Sequence, residues 1–233
     1  MIGNDLVAFE ACREYSPQRW KAYWRKILTD IEWEDFPSKP NDHRAWLYWA
    51  AKEAAWKVWF RRSAQRLLNP KAFVVEKIHW KGSRASFEVV GADERYFGFA
   101  DLTEDYLHTV VEVNTDRVLS GGSNTFSAFE VCPKDELLTS LNADPNLNFF
   151  SSPFAPSKGG QPTVCKVISP FGGGRGRKKP SNSRPKPQIS LSRNKSGIPS
   201  LEIEGNVLDL PISLSHHGSW AAYAYVYPQR THS

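Results

Sequence analysis

The chain has 233 residues, 40% of them hydrophobic and with nine Trp and thirteen Phe, enough apolar material for one large core or two small ones and too much for a disordered chain. Its net charge of +5 is unevenly spread: Pro145 to Leu201 holds ten Lys or Arg and no Asp or Glu, so the remainder is net −5 and any nucleic-acid argument rests on that segment alone. No run approaches the roughly 18 apolar residues of a membrane span, "MIGNDLVAFE" lacks the charged start of a signal peptide, and Cys12, Cys132 and Cys165, odd in number and far apart, argue against a disulfide framework or zinc site and for a reducing cytoplasm.

In chain order, "MIGNDLVAF" reads as a short strand carrying Asp5. "SPQRWKAYWRKILTDIEW" reads as an amphipathic helix or helix pair. "NDHRAWLYWAAKEAAWKVWFRRSAQRLLNP" reads as one long helix, with Asn41 or Asp42 as N-cap and Asn69-Pro70 as the stop. From Ala72 the pattern changes to strands: "AFVVEKIHW", a turn at "KGS", and "RASFEVV" form a hairpin. "YFGFADL", "LHTVVEV" and "FSAFEV" are further strands, and "CPKDELLTSL" is a short helix. The stretch from "SSPFAPSKGG" to "SRPKPQ" is rich in Pro, Gly and Ser and reads as exposed loop. Order returns at "GIPSLEIEG", and "LPISLSHHGSWAAYAYVY" gives two alternating runs around a turn. Helices first and antiparallel strands later make an α+β pattern.

The long helix poses the first functional question. On a wheel of about 100° per residue with Trp46 at zero, Glu53 falls at roughly 340° and Lys57 at roughly 20°. Trp49, Trp56 and Phe60 surround them, at roughly 300°, 280° and 320°, while Leu47, Ala51, Ala54, Ala55 and Val58 lie opposite. A helix this apolar is expected to be buried. One reading of Glu53 and Lys57 is a surface i,i+4 pair worth about 0.2–0.5 kcal/mol. The other follows from cost: ions among apolar groups cost several kcal/mol each unless partners repay them. That suits a metal ligand or catalytic carboxylate at a cleft edge.

Two more pieces matter. Asp5 beside Gly3 is read either as a turn Asp or as a functional carboxylate. Ser213, Ser215 and His216 in "SLSHHG" are read either as a capped hairpin turn or as ligand contacts. In order, "GND", "WAAKEAAWK" and "SLSH" resemble the 4′-phosphopantetheinyl transferase superfamily, closest to its short holo-acyl-carrier-protein synthase type. "RKILTDIE" (25–32) and "GIPSLEI" resemble two further segments of that type. The likeness divides the chain into a transferase core at 1–70 and 195–233, a β-rich insertion at 71–150 and a basic loop region at 151–194.

The resemblance implies an α+β fold in which a long buried helix packs on a mostly antiparallel sheet. It implies transfer of 4′-phosphopantetheine from coenzyme A to a serine of an apo acyl or peptidyl carrier protein, releasing 3′,5′-ADP and requiring Mg²⁺. Asp5 and Glu53 match the metal carboxylates, and Glu53 is also the candidate base. Lys57 matches the lysine at the reacting phosphate, and Lys52 the one near the nucleotide. Ser215 and His216 match the pair that holds coenzyme A phosphates, and Arg44 is a further phosphate candidate. Val7 stands where the long members of the superfamily carry a third acidic residue, which implies a two-carboxylate site. Short members are trimers, so a homo-oligomer is among the expectations. The carrier belongs to fatty-acid or secondary, polyketide-like metabolism; the residues do not choose.

Rival readings follow from the remaining motifs. "GGGRGRKKPSNSRPKP" would attract phosphate backbones, but no aromatic lies between Phe171 and Ile189 to stack a base, which argues for a solvated loop. Deleting 172–187 would separate the two in a filter-binding assay. No "GxxxxGK(S/T)" passes through residues 172–182, which excludes a P-loop. His216 and His217 on a strand point to opposite faces, which argues against a shared metal. A non-catalytic relative of the transferase is the last alternative, and intact Asp5, Glu53 and Lys57 argue against it.

Overall fold

The computed structural model describes residues 1–12, 14–36, 42–63, 67–91, 94–113, 127–144, 147, 188–208 and 210–226. The basic tract at 172–187 and Cys165 lie outside the described residues. Strand β1 (Ile2–Ala8) is followed by helices α1 (Pro17–Trp24), α2 (Asp30–Glu34) and α3 (Trp46–Ser63). Four strands come next: β2 (Phe73–Lys81), β3 (Arg84–Gly91), β4 (Glu94–Leu102) and β5 (Tyr106–Glu112). Then come β6 (Ser127–Pro133), α4 (Leu137–Ala143), β7 (Ile189–Arg193), β8 (Pro199–Ile203), β9 (Asn206–Val207), β10 (Ile212–His217) and β11 (Trp220–Val226). This is the expected α+β fold. Among the described residues no helix is long and apolar enough to cross a membrane.

The strands form three antiparallel sheets, ordered β1-β5-β4-β3-β2, β10-β11-β6 and β7-β8-β9. Residues 71–150 therefore supply β2 to β5 to the sheet that β1 completes, and β6 to the sheet of β10 and β11. Backbone hydrogen bonding runs straight across the boundary drawn at residue 70.

Helix α3 lies on the first sheet, mainly against β1 and β5. Its alanine face (Ala50, Ala51, Ala54, Ala55) is wholly buried, whereas Trp49, Trp56, Trp59 and Phe60 are half-buried. The helix is thus not buried all round: small residues seat it on the sheet, and the aromatic arc borders an opening. Gly3 makes the close approach possible. A Cβ there would stand 2.1 Å from the Ala54 carbonyl oxygen and 2.8 Å from Val58 Cγ2. The glycine of "GND" is therefore the point where helix backbone touches strand backbone.

The expected single helix from 41 or 42 to 69 is shorter and flanked by 3-10 turns at His43–Ala45 and Pro70–Ala72. Asp42 accepts from the Arg44 N–H (2.8 Å) and Asn69 from the Lys71 N–H (3.2 Å), so each caps a short turn rather than α3 itself.

Candidate active site

Successive residues of β1 face opposite sides. Gly3 and Asp5 face α3, and there Lys57, one turn after Glu53, meets the strand. Lys57 Nζ donates to Asp5 Oδ1 (2.8 Å) and to the Asn4 carbonyl oxygen (2.9 Å), and lies 3.4 Å from Glu53 Oε1. The Asp5 side chain is 7% exposed and that of Glu53 26%. Glu53 is therefore partly exposed, neither sealed nor on an open face. Burial pushes the Asp5 carboxyl up to about 7, with Lys57 opposing and Glu53 adding to the rise. Burial works to lower the Lys57 ammonium, but Asp5 and Glu53 hold it above the ordinary lysine value.

Two hard carboxylate oxygens flanking one cation suit a divalent ion such as Mg²⁺, with remaining positions for substrate oxygens and water. Among the described residues no three His, Cys, Asp or Glu side chains stand together as a metal cluster.

From Lys57 a groove runs between the C-terminal half of α3 and the turn joining β7 to β8. It comprises two adjoining cavities of about 200 and 370 Å³, and no described Asp or Glu lines either. Lys57, Arg61, Arg193 and Lys195 supply the charge, and Trp56 stacks on Phe60 (5.4 Å between rings, 21°) to supply an apolar wall. Arg61 donates to the carbonyl oxygens of Ile2 and Ile212, tying β1 to β10, and burial pulls its guanidinium down to about 10. His216 is exposed, and its imidazole is shifted below the ordinary value by partial burial and then by Lys134, Lys57, Arg193 and His217. An anion is the partner that relieves such a cluster.

Three predicted residues stand elsewhere. Ser215 is buried, and its hydroxyl accepts from Asn4 Nδ2 (3.1 Å) at the seam with β1 instead of facing the groove. Lys52, expected near the nucleotide, is fully buried and donates to Glu32 Oε2 (2.7 Å) and to the carbonyls of Ile27 (3.1 Å) and Pro70 (3.0 Å). All three ammonium protons are thereby used within the protein. Glu32 also closes the capping box of α2 through Thr29 and accepts from Val75 N–H (2.7 Å). "RKILTDIE" is thus the seat of the Lys52 ammonium. Arg44 lies over the Trp80 ring (5.2 Å) at a separate surface hollow away from Glu53. As expected, His216 and His217 diverge: His217 Nδ1 accepts from Ala8 N–H (2.9 Å).

The sequence reading missed Asn4, His108, Arg61 and Arg193. The available signal was a lone Asn and a lone His in otherwise apolar strands. His108 is 1% exposed, and burial, then Lys57, lower its imidazole to about 3. It stays neutral in the folded protein while the unfolded chain takes a proton below about 6.5. The contribution of His108 to stability therefore falls as pH drops from about 6.5 toward 3, by about 2 kcal/mol at pH 5. The raised Asp5 carboxyl works in the opposite direction over the same range, so the comparison is between variants: by urea unfolding, His108→Gln should gain stability relative to wild type by about that amount between pH 7 and pH 5.

A family model described as the 4′-phosphopantetheinyl transferase superfamily matches residues 1–111. The likeness read from the motifs is thereby shown over this stretch, which contains Asp5, Glu53 and Lys57. The match continues through β2 to β5, beyond the limit at residue 70 that the motifs suggested, and stops before "SLSH". No curated protein matches the chain. The activity that goes with this superfamily is phosphopantetheinyl transfer, with carrier domains as acceptors.

Proposed function

We propose that the protein transfers 4′-phosphopantetheine from coenzyme A to a serine of an apo acyl or peptidyl carrier protein, in the manner of a holo-acyl-carrier-protein synthase. The observation that carries this reading is Lys57, held between Asp5 and Glu53 at the end of a groove lined by cations and, among the described residues, by no carboxylate. A ligand with several phosphates and a flat ring suits that groove.

Asp5 and Glu53 would hold Mg²⁺, which when bound would neutralise charge on the pyrophosphate. Glu53, the more open carboxylate, would take the proton from the carrier serine hydroxyl. The serine oxygen then bonds to the β-phosphorus of coenzyme A as the bond to the bridging oxygen breaks. Lys57, charged in the resting site, would stabilise that oxygen and protonate it as 3′,5′-ADP leaves. His216 and Arg193 would hold phosphates along the groove.

Intact-mass spectrometry of apo carriers incubated with the protein, coenzyme A and Mg²⁺ should show a gain of one phosphopantetheine. No gain on any carrier of a broad panel would overturn the reading.

A further inference from the structure

Asn4 lies between Gly3 and Asp5 in sequence, but its side chain leaves β1 on the opposite face, between the first two sheets, where it is fully buried. The surroundings are apolar: Ile2, Val110, Ala224 and Val226 pack together beside it. Four groups nevertheless converge on this one residue. Its Nδ2 donates to Ser215 Oγ (3.1 Å) and to His108 Nε2 (3.2 Å). Its backbone N–H donates to Ser213 Oγ (3.0 Å), and its backbone carbonyl accepts from Lys57 Nζ (2.9 Å). Its Oδ1 has no partner among the described residues.

Stability does not account for this arrangement. A buried polar atom without a partner costs about 1–3 kcal/mol, and an apolar side chain would fill the interface better. What the contacts do is fix register. Strand β10 does not continue the first sheet; β1 N–H groups bond instead to β10 side chains, Asn4 to Ser213 and Ala8 to His217. Leu214 of the same strand lines the groove, and His216, two positions on and exposed, sits between two anchored neighbours, Ser215 and His217.

We propose that Asn4, oriented by His108, is a positioning residue that fixes β10 against β1, so that His216 and Lys57 face one groove in the register a coenzyme A pyrophosphate needs. This rests on the transferase reading. It gives Ser215 a role behind the groove, as the link between Asn4 and His216.

The test is Asn4→Leu, near-isosteric and apolar, with folding checked by urea unfolding. The midpoint should stay equal or rise. The KM for coenzyme A should rise about tenfold, the Kd of 3′,5′-ADP by calorimetry should rise in parallel, and kcat should stay within about threefold. Ser215→Ala added to Asn4→Leu should cost little more, because both act through one link. If Asn4→Leu fails to fold, His108→Leu serves in its place, with the same split between KM and kcat. Unchanged KM in a folded variant, or fully additive losses in the double variant, would overturn the positioning role while wild-type transfer upholds the function. A wild type that neither binds 3′,5′-ADP nor modifies a carrier would overturn the transferase reading, and the role of Asn4 with it.

Discussion

Replacing Glu53 by glutamine is expected to lower kcat for carrier modification by roughly 10²–10⁴-fold, the range of a general base. If Glu53 also holds the divalent ion, saturating Mg²⁺ will restore only part of the loss. The fold should survive. Glu53 is partly exposed, and its 3.4 Å contact with Lys57 is the longer of that lysine's two ion pairs, so Asp5 keeps the ammonium in place. Stability should change by no more than about 0.5 kcal/mol, as for a surface substitution. Steady-state kinetics with circular dichroism of the same preparation check both parts. A kcat within threefold of wild type would remove Glu53 from the chemistry.

Lys52 is the neighbouring residue with the opposite expectation. Lys52→Ala leaves the Glu32 carboxylate buried without its charge partner, and both side chains are 0% exposed. Breaking such a pair costs about 3–5 kcal/mol. Glu32→Gln, which leaves the ammonium uncompensated, should cost a similar amount. Lys52→Met with Glu32→Gln removes both charges and should be milder than either single change. In the protein that remains folded, the KM for coenzyme A should stay within about twofold, where loss of a nucleotide-binding lysine would raise it. Urea unfolding and kinetics of the three variants distinguish the two roles.

Adjacent positions of one motif thus have opposite surroundings, Lys52 sealed in an ion pair and Glu53 partly exposed, and helix geometry explains why. Consecutive residues are about 100° apart, so Lys52 and Glu53 project to different sides of α3. Arg44 lies in the 3-10 turn that precedes α3, outside the periodicity that places Glu53. A linear motif records the order of residues and not the side each one faces. Much else was readable. The strand runs, the "KGS" hairpin and the long alanine-rich helix have local causes in alternation, turn residues and periodicity, and β2, β3 and α3 appear where those patterns put them. The meeting of Asp5 with Glu53 and Lys57 came from motif order, with Gly3 as its physical reason. The wall formed by Arg61 and Arg193 was not readable, nor was the link from Asn4 to Ser215. Those contacts join residues far apart in the chain, and nothing local in either partner announces the other.

That separation has a consequence in time. The hydrogen bonds from Asn4 to Ser213 and Ser215 span 209 and 211 positions of the chain. During synthesis Asp5, Glu53 and Lys57 all emerge early, and the sheet and helix that bring them together can close by the end of β5. The strand that completes the groove, β10, arrives only after β6 to β9. Between those two points a nascent chain carries Asp5, Glu53 and Lys57 together without the wall that β10 adds beside them.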